Sequence, residues 1–231
     1  MPVDLDQVLG PDINYAGAKP PSKTPIDGAY VRLDPIDPAR HVADLHAASK
    51  DDDTLWNYMG YGPFADQAAM RAWLDTCAAS LDPLYFAIID RSSGKAVGML
   101  TFMRIDAKSG AIETGNIWFA PILKQTRQAT EAIFLQMREV FDRWGYRRFE
   151  WKCNARNMPS RAAAIRFGFT YEGLFRQHMV IKGRSRDTTW FAMLDGEWPE
   201  IKAAFERWLD PKNFDASGRQ KKPLAARRPF T

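Results

Sequence analysis

Apolar and polar positions along the chain separate strands from helices. Ala29, Val31 and Leu33 alternate with Tyr30 and Arg32, which predicts a first strand. Asp37-Pro38 reads as a cap followed by a first-turn proline, with Val42 and Leu45 marking a short helix. Asp66 caps a second helix, whose Met70, Trp73, Leu74, Cys77 and Leu81 share one face. Three strands follow, 84–90, 96–105 and 111–119, separated by Ser92-Ser93-Gly94 and Lys108-Ser109-Gly110 turns. A helix over 127–144 turns Ala129, Ile133, Met137, Val140, Phe141 and Trp144 inward, and Gly145 stops it. Strand 148–153 leads to a short helix with Asn157 as its cap and Gly168 at its end. Two long strands, 173–181 and 186–194, join through Lys182-Gly183-Arg184-Ser185 as a hairpin. Trp198-Pro199 opens a last helix that buries Ile201, Ala204, Phe205, Trp208 and Leu209.

Composition narrows the class. The chain has 231 residues, 45% of them hydrophobic, with 14 Phe, 8 Trp and 7 Tyr, ample for a packed core. No apolar run of about 18 residues predicts a membrane span, and the acidic N-terminus lacks a signal-peptide pattern. The expected setting is therefore cytoplasmic, with Cys77 and Cys153 as buried thiols rather than a disulfide. His41, His46 and His178 show no metal spacing with either cysteine, so no metal is expected. Residues 1–27, broken by Pro2, Pro11, Pro20, Pro21 and Pro25, read as an arm lying over the domain or loose.

The net charge of +4 is uneven. Between Pro211 and Thr231, six basic residues including Arg219, Arg227 and Arg228 face one acid, Asp215. Residues 211–231 thus form a basic tail, and residues 1–210 sum to −1. The plainer expectation is a solvated extension; the sharper one is a weak contact with RNA, a ribosome or another polyanion. Phe214 and Phe230 are the only aromatics there.

The stretch Trp144–Gly173, WGYRRFEWKCNARNMPSRAAAIRFGFTYEG, orders helix end, strand, loop, short helix, Gly-Phe stop and strand. With Asn-x-x-Ser at 157–160 and Gly168-Phe169 after it, this stretch resembles part of the acetyl-CoA site of the GNAT superfamily of N-acetyltransferases, closest to its RimJ/RimL-like branch. The element order over 28–210 is similar too. The resemblance implies an α/β (α+β) fold: a mixed, mostly antiparallel sheet of about seven strands with helices on both faces. It also implies acetyl-CoA as co-substrate and an amine acceptor, a protein N-terminus or a small molecule.

In that family a Gln/Arg-x-x-Gly-x-Gly/Ala loop opens a helix whose backbone N–H groups hold the CoA pyrophosphate, as unpaired donors and a positive dipole end suit an anion. The matching stretch here is Lys124-Gln125-Thr126-Arg127-Gln128-Ala129, followed by Thr130-Glu131-Ala132. Lys124 stands at the Gln/Arg position and Arg127 at the inner glycine. Without that glycine a positive φ is costly, and Arg127, Lys124, Thr126 and Thr130 become the expected phosphate contacts. Asn157 would contact the CoA arm, and Ile117, Trp118 and Phe119 would border it, with a backbone N–H between Asn116 and Phe119 as the oxyanion donor.

Acetyl transfer to an amine needs a base, an oxyanion donor and a proton for the leaving thiolate. The resemblance points to Glu113 as base; burial beside Ile112 and near Trp118 would make it a better proton acceptor, while a strand glutamate pairing an arginine is the plainer reading. Where many members carry a tyrosine acid, this chain has Ala164, which shifts the acid role to Ser160. The plainer readings are a helix cap for Asn157 and a first-turn N–H partner for Ser160. Trp56, Tyr58 and Tyr61 could wall the acceptor pocket or pack as core or lid. An α-amine near pKa ~7.8 is roughly 14% neutral at pH 7 and a lysine near ~10.4 only about 0.04%, which favours low-pKa acceptors. A catalytically silent acyl-CoA-binding or scaffolding domain and an RNA- or ribosome-associated binder are the rival readings. A homodimer is left open.

Overall fold

The structure, a computed structural model, describes residues 8–226. The parts of the arm and tail at 1–7 and 227–231, with Pro2, Arg227, Arg228 and Phe230, lie outside the described residues. The elements are β1 (Ile26–Asp27), β2 (Val31–Pro35), α1 (Pro38–Ser49), α2 (Gln67–Ala79), β3 (Leu84–Asp90), β4 (Ala96–Asp106) and β5 (Ala111–Phe119). Then come α3 (Arg127–Arg138), β6 (Arg148–Asn154), α4 (Met158–Arg166), β7 (Thr170–Ile181), β8 (Arg184–Leu194) and α5 (Trp198–Leu209). One sheet holds the strands in the order β1-β2-β3-β4-β5-β6-β8-β7, and every pair is antiparallel except β5 with β6. The eighth strand, against about seven expected, is β1: the end of the arm pairs Ile26 with Leu33.

The capping chemistry read from the sequence operates as expected. Asp37 accepts from the N–H groups of Ala39 and Arg40, Asp66 from Ala69, and Asn157 from Ser160. The α-helical part of the 127–144 segment ends at Arg138, and a π-helical turn carries Glu139–Arg143. Pleat alternation splits the sheet's side chains between two cores. Phe86, Ile88, Leu100 and Phe102 join Ile133, Met137 and Phe205 of α3 and α5. Ala87, Ala96 and Met99 join Val42, Leu45, Met70 and Leu74 of α1 and α2 on the other face. Gly98 is needed where β4 meets β5, because a Cβ there would stand 2.7 Å from the Trp118 carbonyl oxygen.

The described parts of both terminal segments are tied to the domain. In the arm, Ala18 N–H donates to the Ala107 carbonyl and Lys19 N–H to the Trp144 carbonyl. The tail was expected as a solvated extension, but residues 211–226 fold back on the domain. Phe214, Leu224 and Ala226 are buried, and Trp208 Nε1 donates to Gln220 Oε1 at 2.8 Å. The apolar residues spaced through a basic segment supply the burial that its charges conceal.

Glu131 of α3 ties the first turn to the sheet. Its buried carboxylate accepts from the N–H groups of Ala29 (2.8 Å), Tyr30 (2.6 Å) and Val31 (2.7 Å). Any Cβ at position 28 would meet that carboxylate at 2.6 Å, which explains Gly28. Hydrogen bonds to a charged group contribute about 1.5–3 kcal/mol each, and orphaned buried donors add cost. Glu131→Ala should therefore lower unfolding stability by about 3 kcal/mol or more, read from the denaturant midpoint.

Candidate functional site

The parallel pairing of β5 with β6 runs only from Ala111↔Arg148 to Thr114↔Trp151. β5 continues to Phe119 paired to β4, and β6 to Asn154 paired to β8. The edge of Gly115, Asn116 and Ile117 that faces β6 is thus left without a strand partner, and it lines a cleft of about 540 Å³. One extra residue in β5, between the pairs Thr101↔Gly115 and Met99↔Trp118, makes a bulge there. Asn116 takes φ +48°, a strained conformation of the kind that concentrates at functional sites. A buried network holds the bulge: Thr114 Oγ1 donates to Gln136 Oε1, Gln136 Nε2 to the Thr101 carbonyl, and Thr101 Oγ1 to the Gly115 carbonyl.

Charge collects on one wall of this cleft. Glu113, buried on β5, accepts at Oε2 from Arg104 Nη1 (2.6 Å) and from Lys152 Nζ (2.7 Å). Lys152 also donates to Glu150 Oε2 at 2.6 Å and sits 3.8 Å from the Trp190 ring centroid. Arg148 bridges Glu150 to Glu172. Burial pushes the Glu150 carboxyl up, but Lys152 and Arg148 outweigh it and leave it below its ordinary value. Arg104 reaches Glu113 from a second bulge, in β4, where it takes φ +49° and Asp82 accepts from its N–H and from that of Ile105. For a residue with a Cβ, that conformation costs roughly 1–2 kcal/mol.

At the floor of the cleft, Trp151 Nε1 donates to Ser160 Oγ at 3.0 Å. The serine oxygen is therefore an acceptor for the indole, and its own O–H remains to be donated. Asn157 Oδ1 caps α4 through the Ser160 N–H at 3.2 Å, so the capping reading of Asn157 holds, and both residues line the cleft.

A larger cavity of about 890 Å³ lies over the start of α3. Thr126 is the N-cap and accepts from the Ala129 N–H, with no acid in the first turn. The left-handed residue of this loop is Gln125, at φ +62°, rather than Arg127 at the expected glycine position. Arg127 begins the helix, its guanidinium 4.3 Å from the Tyr30 ring centroid and 5.4 Å from that of Phe214. Arg166 of α4 donates to Thr130 Oγ1 at 3.2 Å, lies over Trp208, and has its pKa lowered by burial. Neither guanidinium has a carboxylate partner among the described residues, whereas Lys124 pairs with Asp52 at 3.0 Å. The tail closes the far wall with Phe214, Arg219 and Gln220.

The expected site residues separate accordingly. Lys124, Gln125, Thr126, Arg127, Ala129, Thr130 and Phe119 line the cavity; Glu113, Ile117, Asn157, Ser160, Tyr58 and Tyr61 line the cleft. Gln128 lines neither. The Trp56 and Trp118 side chains are core: they pack 5.3 Å apart between ring centroids, buried with Met70 and Leu74. Of the three aromatics read as pocket wall or core, Tyr58, whose hydroxyl donates to the Arg156 carbonyl, and Tyr61, stacked on Trp73, line the cleft, and Trp56 does not. Burial raises the Tyr61 phenol far above its usual value and Cys77 and Tyr85 to about 12, so these groups stay protonated at neutral pH. Lys152, Arg104, Arg186 and Arg166 are new to the site. The Lys152 position two residues from Glu150 marked a polar strand face, but not which face lined a cleft.

Residues 31–170 match the family model for the acetyltransferase (GNAT) domain. A crystal structure of a GCN5-related N-acetyltransferase from Brucella melitensis is 48% identical, with a TM-score of 0.89 over 91% of this chain and 96% of that one. A probable acetyltransferase (GNAT family) from Chromobacterium violaceum is 43% identical, with a TM-score of 0.77 over 82% of this chain and 96% of that one. RimL, described as a ribosomal L7/L12 alpha-N-protein acetyltransferase, shares the fold at 22% identity and a TM-score of 0.65, covering 74% of this chain and 94% of its own.

The strained loop residue generates a test. Gln125→Gly should stabilise the protein by up to about 1 kcal/mol, because glycine adopts the left-handed region freely. A loss of that size in the denaturant midpoint would mean that the Gln125 side chain, not its backbone, matters.

Proposed function

We propose that this chain, which belongs to the GNAT family of acetyltransferases, transfers an acetyl group from acetyl-CoA to a primary amine by direct attack in a ternary complex. One observation carries the reading: β5 and α4 each line both spaces. Ile117 and Ser160 face the cleft, while Phe119 and Arg166 face the cavity with its carboxylate-free guanidiniums. A donor with phosphates at one end and a reactive group at the other fits that continuity.

Acetyl-CoA supplies an activated acetyl thioester. Arg127 and Arg166, with Thr126, Thr130 and the first N–H groups of α3, suit its phosphates by charge-assisted bonds and helix polarity. The unpartnered edge of Gly115–Ile117 is our choice for the backbone donors to the developing oxyanion. Ser160, oriented by the Trp151 indole, is assigned proton donation to the departing sulfur. Glu113 is assigned acceptance of the amine proton at Oε1, which carries no hydrogen bond among the described residues, Oε2 being committed to two cations. We assign Arg219 of the tail to the cavity rather than to RNA or a ribosome.

Thiol release from acetyl-CoA across a panel of peptides, amino acids and polyamines tests the activity. Turnover on at least one amine is expected; intact acetyl-CoA binding without turnover on any would instead support a silent acyl-CoA-binding domain. Ser160→Ala should lower kcat roughly 100-fold with the KM for acetyl-CoA within about twofold, and an unchanged kcat would remove its acid role. Arg127→Ala should weaken acetyl-CoA binding roughly 10-fold or more by calorimetry. Unchanged affinity would place the phosphates elsewhere.

A further inference from the structure

The cleft holds a cation that its own acids do not neutralise. Four charged side chains line it: Arg104, Glu113, Lys152 and Arg186. Lys152 is shared by Glu113 and Glu150, and Arg104 spends only Nη1, on Glu113. Arg186, half-buried on β8 opposite Met179, has no carboxylate partner among the described residues. Its side chain's one hydrogen bond among the described residues runs from Nε to Thr188 Oγ1 at 3.1 Å, which leaves both terminal nitrogens of the fork uncommitted there. Burial lowers its pKa, and the attraction of Cys153 and Glu113 does not offset that burial and the repulsion of Arg104. The Glu113 carboxylate offers little repulsion to an incoming anion, because Arg104 and Lys152 already neutralise it.

We propose that Arg186, with the free nitrogens of Arg104, forms a carboxylate subsite, and that the acceptor is a small amine that also carries a carboxylate, an amino acid in chemical class. A planar guanidinium fork binds a carboxylate through two parallel charge-assisted hydrogen bonds. Two bridges over the cleft favour a small molecule over a protein chain. Lys182, at the tip of the β7–β8 hairpin, donates to the carbonyls of Trp56 (3.0 Å) and Gly62 (2.7 Å), and the Tyr58 hydroxyl donates to the Arg156 carbonyl. The volume of about 540 Å³ is that of a small-ligand site. Polyamines and lysine side chains would meet uncompensated positive charge there and be disfavoured. The inference rests on the amine-acetylating reading above, which its test separates.

The test pairs each N-acetyl amino acid of a panel with its primary amide, titrated calorimetrically into protein saturated with CoA, for the wild type, Arg186→Gln and Arg186→Lys. Expected is at least one acid that binds tenfold or more tightly than its amide to the wild type, a preference removed in Arg186→Gln and partly restored in Arg186→Lys. Melting temperature and acetyl-CoA affinity should stay within about a degree and twofold of wild type. Equal affinity of acid and amide, absence of binding by either across the panel, or a preference that survives Arg186→Gln would each overturn the subsite. Thiol release with the free amino acids and their amides is measured alongside. A carboxylate preference in binding without turnover on any amine would sink the acetyltransferase reading and leave the subsite standing. Turnover of amides as fast as acids would do the reverse.

Discussion

Where the pairing of β5 with β6 stops governs the rest of the molecule. A parallel pair in the middle of an otherwise antiparallel sheet needs a crossover, and α3 supplies it. Because the pairing ends at Thr114↔Trp151, the strands carry on with different partners, and the space between them becomes the cleft. The extra residue at the Gly115–Asn116 bulge takes β5 out of register, and Gln136 of the crossover helix holds the bulge from behind through Thr114 and Thr101. Helix, bulge and opening are therefore one device. Breaking the Gln136 contacts would leave buried polar groups unpaired at the place where geometry matters most.

The charged side chains divide into two populations with different physical roles. Glu131 and Glu113 are buried, Glu150 and Lys152 half-buried, and each is held by ion pairs or hydrogen bonds, most of them to neighbouring elements. Such groups hold elements in register, since removing one partner strands the other. Arg127, Arg166 and Arg186 are half-buried, lean on aromatic rings or a threonine, and meet no carboxylate among the described residues. Aromatic support keeps the first two guanidiniums in place without neutralising them. Charge left over after the fold is satisfied is available to a ligand, and it occurs in both the cavity and the cleft.

Local signals in the sequence were legible because their physics is local. Asp37, Asp66 and Asn157 cap helices through N–H groups two or three residues away, and Lys182-Gly183 turns a hairpin with φ +50° and +72°. The start of α3 was legible for the same reason, although its left-handed residue proved to be Gln125. Roles that depend on distant partners were not. Glu131 appeared as one letter of a helix start, yet its three hydrogen bonds reach residues about 100 positions away. Trp56 read equally as pocket wall or core and is core, since aromatic character does not tell which side of a loop faces solvent. The tail showed its charge and hid its packing, because Phe214 and Leu224 are too widely spaced for a periodic signal.

By itself the sequence determined the element order, the helix ends, the membership of a family and the candidates Glu113, Asn157 and Ser160. The order and the helix caps follow from periodicity and capping, which act over a few residues, while the family and its candidates follow from the resemblance of motifs such as Asn157-x-x-Ser160. Tertiary structure alone decided which charges are spent and which remain. Glu113 acquires two cations from β4 and β6, Ser160 acquires an indole donor from β6, and Arg186 acquires no ion-pair partner among the described residues. The reason is that electrostatic pairing depends on distance in space, and only the folded sheet brings those strands within a few ångströms of one another.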